Sequence, residues 1–184
     1  MKTISVIGMG QFGSQVAISL SQKGFEVIAI DNDDDVISEY KDMVSTAVIL
    51  DSTDEKAMRS ANVDVVDVAI VAIGSNVQSS LLTVALLQKL GIEDIYVRAI
   101  EPLQEGILRS MGIQHIVNIE AEMGKQLSST LSSGKIGRYI QLSERHSLIE
   151  MKVPSQFVGK TLLKLDLRSR NNVNIIGIKK QVPQ

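Results

Sequence analysis

Residues 4–13 read ISVIGMGQFG, and this stretch decides the fold. An apolar strand runs directly into a turn with glycines at Gly8, Gly10 and Gly13. A helical pattern follows, and a second strand leads to Asp31, eighteen residues after Gly13. A glycine string alone is weak, but this order of strand, turn, helix and acidic residue is that of a dinucleotide-binding βαβ unit.

The parts of this turn have separate roles in holding a dinucleotide. Gly8 allows the tight turn, Gly10 keeps the backbone open to a pyrophosphate, and Gly13 lets the helix pack close to the strand. The helix N-terminus offers N–H groups to the phosphates, and Asp31 would hold a ribose hydroxyl pair. The cofactor-binding residues predicted in the turn are Gly8, Met9, Gly10, Gln11, Phe12 and Gly13.

Composition excludes several classes of protein. The chain has 184 residues, 44% of them apolar, which is enough for a packed core, and its net charge is −2. Because there is no cysteine, disulfides, thiolate metal sites and cysteine nucleophiles are excluded. We expect no nucleic-acid binding, since basic stripes and stacking aromatics are missing. We also expect no membrane insertion and no signal peptide, since cleavage would remove the glycine turn.

Strand-like and helical patterns alternate along residues 2–134, which predicts a Rossmann-type, doubly wound parallel α/β sheet. The six predicted strands are Ile4–Ile7, Glu26–Ile30, Thr46–Leu50, Val68–Ala72, Ile95–Ala99 and His115–Ile119. The character changes near residues 134–138, so we predict a nucleotide-binding domain over 1–134 and a partial α+β lobe over 135–184. In that lobe, Tyr139–Leu142 and Ser147–Val153 have strand character, and a short Leu-rich helical stretch and the run Ile175–Lys179 follow them.

Polar residues follow the predicted strands, at the edge where doubly wound sheets bind ligands. The candidates beyond the glycine turn are Asp31, Asn32, Asp51, Ser52, Ala72, Ile73, Gly74, Arg98 and Glu120. Either Asp51 caps the helix after the third strand, or Ser52 or Thr53 does so and frees Asp51 for an adenine or ribose.

Two charged candidates each have an alternative role that is purely structural. Arg98 would meet a phosphate, or would form a surface ion pair with Glu93 or Glu101. Glu120 would cap its helix, or would hold a divalent cation beside the phosphates. The acidic run 33–35 is better explained as an N-cap and first helical turn than as a metal site.

Catalytic groups are scarce. His115 begins the sixth strand, at the wrong end of the sheet, and His146 lies in the second part of the chain. No nucleophile motif, metal-spaced histidine pair or substrate domain is visible, so we expect a protein that is not an enzyme. Two rival hypotheses are a fragment of an NAD-dependent oxidoreductase and a dimerisation module with a vestigial site.

Several motifs together resemble the regulator of potassium conductance domain, the RCK or KTN family, and its KtrA/TrkA-type cytosolic subunits. They are the glycine turn, Asp51-Ser52-Thr53, Ala72-Ile73-Gly74, Val97-Arg98-Ala99 and Glu120-Ala121-Glu122-Met123-Gly124. The resemblance covers residues 2–134 and continues into Val158-Gly159-Lys160-Thr161-Leu162 and Ile175-Ile176-Gly177-Ile178, where the family's lobe looks truncated.

The resemblance implies a cytoplasmic regulatory subunit at the inner face of the membrane. It would bind NAD(H), ADP or ATP, form homodimers that assemble into a ring, and gate a membrane potassium-translocating subunit. The family's nucleotide contacts carry over to Gly8, Gly10, Gly13, Asp31, Asp51, Ser52, Gly74 and Arg98, and its cation ligand to Glu120. Gln11 departs from the arginine that KtrA-type members often have, which favours NAD or ADP over ATP.

Overall fold

The computed structural model describes residues 1–133, 136–143 and 146–179. The chain divides into two compact units, Met1–Met123 and Gly124–Gln184. The predicted boundary at 134–138 begins on residues 134 and 135, which lie outside the described residues. The two-domain division over 1–134 and 135–184 therefore stays a prediction.

The first unit holds six strands and the helices between them. The strands are β1 (Thr3–Ile7), β2 (Glu26–Asp31), β3 (Thr46–Ile49), β4 (Val68–Val71), β5 (Ile95–Arg98) and β6 (His115–Val117). The helices are α1 (Gln11–Gln22), α2 (Asp34–Tyr40), α3 (Glu55–Ser60), α4 (Val77–Lys89), α5 (Pro102–Ser110) and α6 (Ile119–Ser133), the last continuing into the second unit.

All pairings in this sheet are parallel, in the order β3-β2-β1-β4-β5-β6. The order reverses between β1 and β4, so the predicted doubly wound Rossmann-type fold is confirmed. Four of the predicted strands run one or two residues too far at their carboxyl ends, because apolar residues continue in the sequence after the ladder ends.

Two hydrophobic clusters cover the two faces of the sheet. Ile4 and Val6 of β1 belong to one cluster together with Ala17 of α1, whereas Ile7 belongs to the other. This alternation follows the two-residue period of a strand. Ser5 points to the same side as Ile7, where its hydroxyl is buried without a hydrogen-bond partner among the described residues. The core therefore holds the carboxyl ends of β1 and β4 firmly beneath the glycine turn.

Capping side chains begin four of the six helices α1–α6. Asp33 caps α2, as predicted, and Asn76 caps α4. Asp54 caps α3, so the prediction that Asp51, Ser52 or Thr53 does so is wrong. Asn118 Oδ1 accepts from Ala121 N at 2.9 Å at the start of α6, so Glu120 is not its cap. In both cases the true cap lies within three residues of the candidates, a difference that propensity alone does not resolve.

The second unit contains an antiparallel hairpin of β7 (Ile136–Gln141) and β8 (Ser147–Met151), then α7 (Leu162–Leu165) and α8 (Leu167–Asn171). The hairpin confirms the two strand-like runs with shifted bounds. The later run Ile175–Lys179 forms no strand. Its apolar side chains are largely exposed, and no described backbone pairs with it to form a ladder. None of the described helices is long and apolar enough to cross a membrane.

Candidate functional site

The glycine turn connects β1 to α1 and is fixed by main-chain contacts. Gly8 has a φ of +92°, and its N–H donates to the Ile30 carbonyl oxygen at 2.8 Å. A Cβ added at Gly8 would lie 2.9 Å from Ile73 N, and one at Gly13 would collide with the carbonyl oxygen of Gly8. These two glycines are needed for the fold itself.

Gly10 differs from its two neighbours in the turn. Its φ is −62°, and an added Cβ would meet no atom within 4 Å. The fold therefore leaves the space above Gly10 open, at the N-cap of α1. The sequence interpretation of Gly10 as the point where a pyrophosphate approaches is compatible with this space.

The N-terminus of α1 has unsatisfied N–H groups. No described side chain caps this helix, and its first turn contains no acidic residue, whereas Asp33, Asp54 and Asn76 cap the next three helices. Uncapped N–H groups and the helix dipole together favour an anion at this end. Gln11 is exposed there, and Phe12 is half-buried.

Asp31 is tied to the turn from the end of β2. Its Oδ2 accepts from Met9 N at 2.6 Å, and its Oδ1 accepts from Asp33 N at 3.1 Å. Each carboxylate oxygen has a second acceptor site, so ribose hydroxyls can still bind. The Met9 side chain is buried in the core, so only its main chain faces the turn, and Asn32 is exposed beside Asp31.

Asp51 and Ser52 follow β3 but point in different directions. Asp51 Oδ1 accepts from Thr53 N at 2.9 Å and from Thr53 Oγ1 at 2.7 Å, and these bonds lower the pKa of its exposed carboxyl. The Ser52 hydroxyl is buried and lies 2.7 Å from Thr83 Oγ1 of α4. Asp51 is thus available at the surface, whereas the Ser52 side chain faces the protein interior.

Arg98, Gly74 and Glu120 form a charged cluster at the carboxyl ends of β4 and β5. The Arg98 side chain is only 20% exposed, and a Cβ at Gly74 would collide with its guanidinium. Arg98 pairs with Glu120, so the alternative partners Glu93 and Glu101 are wrong. Its Nε is buried without a hydrogen-bond partner among the described residues.

Glu120 lies at the rim of this cluster. Its own backbone N–H, followed by the Arg98 guanidinium, lowers the pKa of its carboxyl. Its side chain is 59% exposed, so a cation could approach it from solvent. Within 1–133, 136–143 and 146–179, no three His, Asp or Glu side chains are grouped to hold a metal ion. Glu120 as a cation ligand therefore stays a prediction.

Ala72 and Ile73 close the floor of the turn. Ala72 N donates to the Ile7 carbonyl oxygen at 2.7 Å, and the Ala72 side chain lies against Gly13. Ile73 lies beside Gly8. The structure thus places all the predicted residues along one edge of the sheet, as the doubly wound topology requires.

Sequence reasoning missed the buried polar residues behind this edge. Ser80 and Thr83 of α4 and Gln104 of α5 are all almost completely buried. Their one sequence signal is weak: Gln104 stands at the third position of α5, where a glutamine often reaches back to the preceding backbone. Ser80 and Thr83 look like ordinary surface positions in a helical pattern.

Comparison with known proteins identifies relatives over nearly the whole chain. The family model described as the TrkA-N domain matches residues 4–119. The chain is 41% identical over 179 residues to the Ktr system potassium uptake protein C of Bacillus subtilis, covering 97% of this chain and 81% of that protein. It is 32% identical over 178 residues to Ktr system potassium uptake protein A of the same organism, covering 97% and 80%.

Solved structures resemble the first unit in fold. The TrkA-N domain of the inner membrane protein ybaL from Escherichia coli superposes with a TM-score of 0.62 at 18% identity, covering 71% of this chain and 96% of that one. GsuK bound to ADP superposes with a TM-score of 0.61 at 23% identity, covering 73% of this chain and 35% of that one. At these identities the likeness is one of fold alone.

Proposed function

Since the chain belongs to the TrkA-N domain family, we propose that it is a nucleotide-sensing regulatory subunit of a potassium uptake system. Two relatives that it matches over 97% of its length are named as potassium uptake proteins of Ktr systems. On this proposal the chain works in the cytoplasm, at the inner face of the membrane, and its partner is the subunit that translocates potassium.

The observation that supports nucleotide binding is the uncapped N-terminus of α1, next to the open space above Gly10. A pyrophosphate suits this end of the helix for three reasons. The N–H groups have no side-chain cap, the first turn has no acidic side chain, and the space above Gly10 allows a close approach. Asp31 stands beside the turn, where it would accept from ribose hydroxyls. Asp51 and Arg98 would then contact the remaining parts of the nucleotide along the same edge.

The ligand we propose is NAD(H), ADP or ATP, with a divalent cation held at Glu120 beside the phosphates. Gln11 lies exposed at the first position of α1, and it carries no positive charge that would attract a terminal phosphate. NAD and ADP are therefore favoured over ATP. On this proposal the Arg98 guanidinium, which is paired with Glu120, would also donate to a phosphate through its other N–H groups.

Regulation would follow from a population shift. We propose that homodimers assemble into a ring, that the ring has two geometries, and that nucleotide binds one of them more tightly. A ligand can shift such an equilibrium only by its differential affinity for the two states. The ring would transmit that shift to the membrane subunit and change the rate of potassium flux.

The experiment is a potassium-flux assay in proteoliposomes that contain the Ktr-type membrane subunit from the same source. We expect the added chain to change flux, and ADP, ATP and NAD⁺ to change it to different extents. Ring formation is followed by sedimentation velocity on the same samples. A flux that does not respond to the chain with any of these nucleotides would reject the proposal.

A turnover assay separates this proposal from an oxidoreductase. The regulatory protein should bind NADH without consuming it, which is checked by absorbance at saturating protein with a panel of small carbonyl compounds. Steady NADH oxidation would favour the alternative of an NAD-dependent oxidoreductase fragment.

A further inference from the structure

The first turn of α5 holds a buried amide that no part of the proposed function uses. Gln104 is only 2% exposed, although glutamine is usually a surface residue. A buried amide is costly unless its donors and acceptor are hydrogen-bonded. The contacts that Gln104 makes therefore indicate what the residue does.

Gln104 bonds to three groups on two sides. Its Oε1 accepts from Ile100 N at 2.9 Å, and its Nε2 lies 3.4 Å from the carbonyl oxygen of Arg98. The same Nε2 donates to the Ser80 hydroxyl of α4 at 3.3 Å. The Gln104 side chain thus bonds to the main chain on both sides of Ala99, just after β5, and connects it to α4.

This anchor lies directly behind Arg98. The guanidinium of Arg98 is mostly covered, packs over Gly74 and reaches Glu120 from the anchored backbone. An arginine side chain has many rotamers, so its guanidinium is placed only as well as its backbone and surroundings are fixed. Rigid support of this kind is what keeps a binding group in register with its ligand.

We propose that Gln104 is a positioning residue that sets where the Arg98 guanidinium meets a nucleotide phosphate. The proposal rests on the nucleotide-binding function proposed above. Gln104 does not touch the ligand on this account, and its whole effect on affinity passes through Arg98.

The chain contains a matched control on α4, the helix that also carries Ser80. Thr83 and Ser52 form a hydroxyl pair, with Thr83 fully buried and Ser52 nearly so, that holds the loop of Asp51 rather than Arg98. Thr83→Val removes a buried hydrogen bond from α4, as Gln104→Met does from α5, with little change of volume. Both substitutions should lower the free energy of unfolding, so stability alone cannot distinguish them.

The test is a double-mutant cycle on ADP affinity, measured by calorimetry, with urea unfolding to confirm that each variant is folded. We expect Gln104→Met to weaken ADP binding about tenfold, about 1.4 kcal/mol. In an Arg98→Met background the same change should alter affinity by less than about twofold, because the positioned group is gone. Thr83→Val should have the same factor with and without Arg98.

Ser80→Ala supplies a milder variant if Gln104→Met fails to fold. It removes one of the three partners, and we expect about threefold weaker ADP binding that likewise disappears in the Arg98→Met background. Equal factors in both backgrounds, or no effect on affinity, would overturn the positioning role. A wild-type chain that binds none of ADP, ATP and NAD⁺ would instead overturn the proposed function and this inference together.

Discussion

The glycines of the turn fall into two groups with different roles. Gly8 and Gly13 lie where strand, helix and turn press together, and a methyl group at either would meet backbone atoms. Gly10, between them, faces open space and has an ordinary φ. A fold that needed glycine only for packing would not need it at Gly10, so this position is the one that points to a ligand.

The largest effect is expected on the packing side. Gly13→Ala should lower the free energy of unfolding by about 3 kcal/mol or more, since the new Cβ collides with the Gly8 carbonyl oxygen and crowds Ala72. Urea denaturation of the wild type and the variant measures this directly. A loss below about 1 kcal/mol would mean that α1 moves away at little cost and that the comparison between the two sides is wrong.

The second effect concerns the carboxylate bound to the turn. Asp31 should repel a 2′-phosphate, and the residues that follow it, Asn32 to Asp35, contain no arginine or lysine to receive one. We expect NADP⁺ to bind at least tenfold more weakly than NAD⁺, about 1.4 kcal/mol, in paired calorimetric titrations. Equal affinities would show that Asp31 does not meet the ribose.

A third prediction adds a charge on the open side. Gln11→Arg places a guanidinium at the exposed start of α1, and charge-assisted hydrogen bonds are stronger than neutral ones. The ratio of ATP to ADP affinity should rise about fivefold, about 1 kcal/mol, because only ATP has a further phosphate for the new group. NAD⁺ affinity should change less.

The ratio has to be measured in wild type and variant side by side, with both nucleotides at the same ionic strength. An unchanged ratio would place residue 11 away from the terminal phosphate. The presence of Gln11 in place of the arginine of KtrA-type proteins would then have no effect on which nucleotide binds.

The smallest effect lies in β1, just before the turn. The Ser5 hydroxyl is buried without a partner among the described residues, and its removal relieves an unsatisfied polar group. Ser5→Ala should leave stability unchanged or raise it by up to about 1 kcal/mol by thermal unfolding. ADP affinity should not change, and a clear destabilisation would show that the hydroxyl has a partner.

The sequence predicted the sheet and the edge along which the candidate residues lie, because the glycine turn and the alternation of strands and helices are local patterns. It did not resolve the helix caps, since Asp54 and Asn118 cap their helices although other polar residues stand within three positions. It also failed where residues distant in sequence meet, since Ser52 faces Thr83, thirty-one residues away. Arg98 pairs with Glu120 rather than with Glu93 or Glu101 for the same reason: strand order, not sequence distance, brings the charges together.

The C-terminal run Ile175–Lys179 shows a second limit. Its apolar residues have strand propensity, but a strand also needs a partner with free backbone groups. Propensity describes the segment alone, whereas the ladder is a property of two segments. The sequence predicts strand character for β7 and β8, whereas their antiparallel pairing is a finding of the structure.

A comparison of Gly10→Ala with Gly106→Ala tests whether the nucleotide binds at the glycine turn. Both make the same chemical change at a glycine whose Cβ would meet nothing within 4 Å, but Gly106 lies inside α5, where alanine should stabilise the helix by up to about 1 kcal/mol. We predict that both variants unfold within about 1 kcal/mol of the wild type. ADP and NAD⁺ binding should fall more than tenfold in Gly10→Ala alone. If Gly10→Ala binds both nucleotides as tightly as the wild type does, the open space above Gly10 does not receive a phosphate, and the glycine turn is not the nucleotide site.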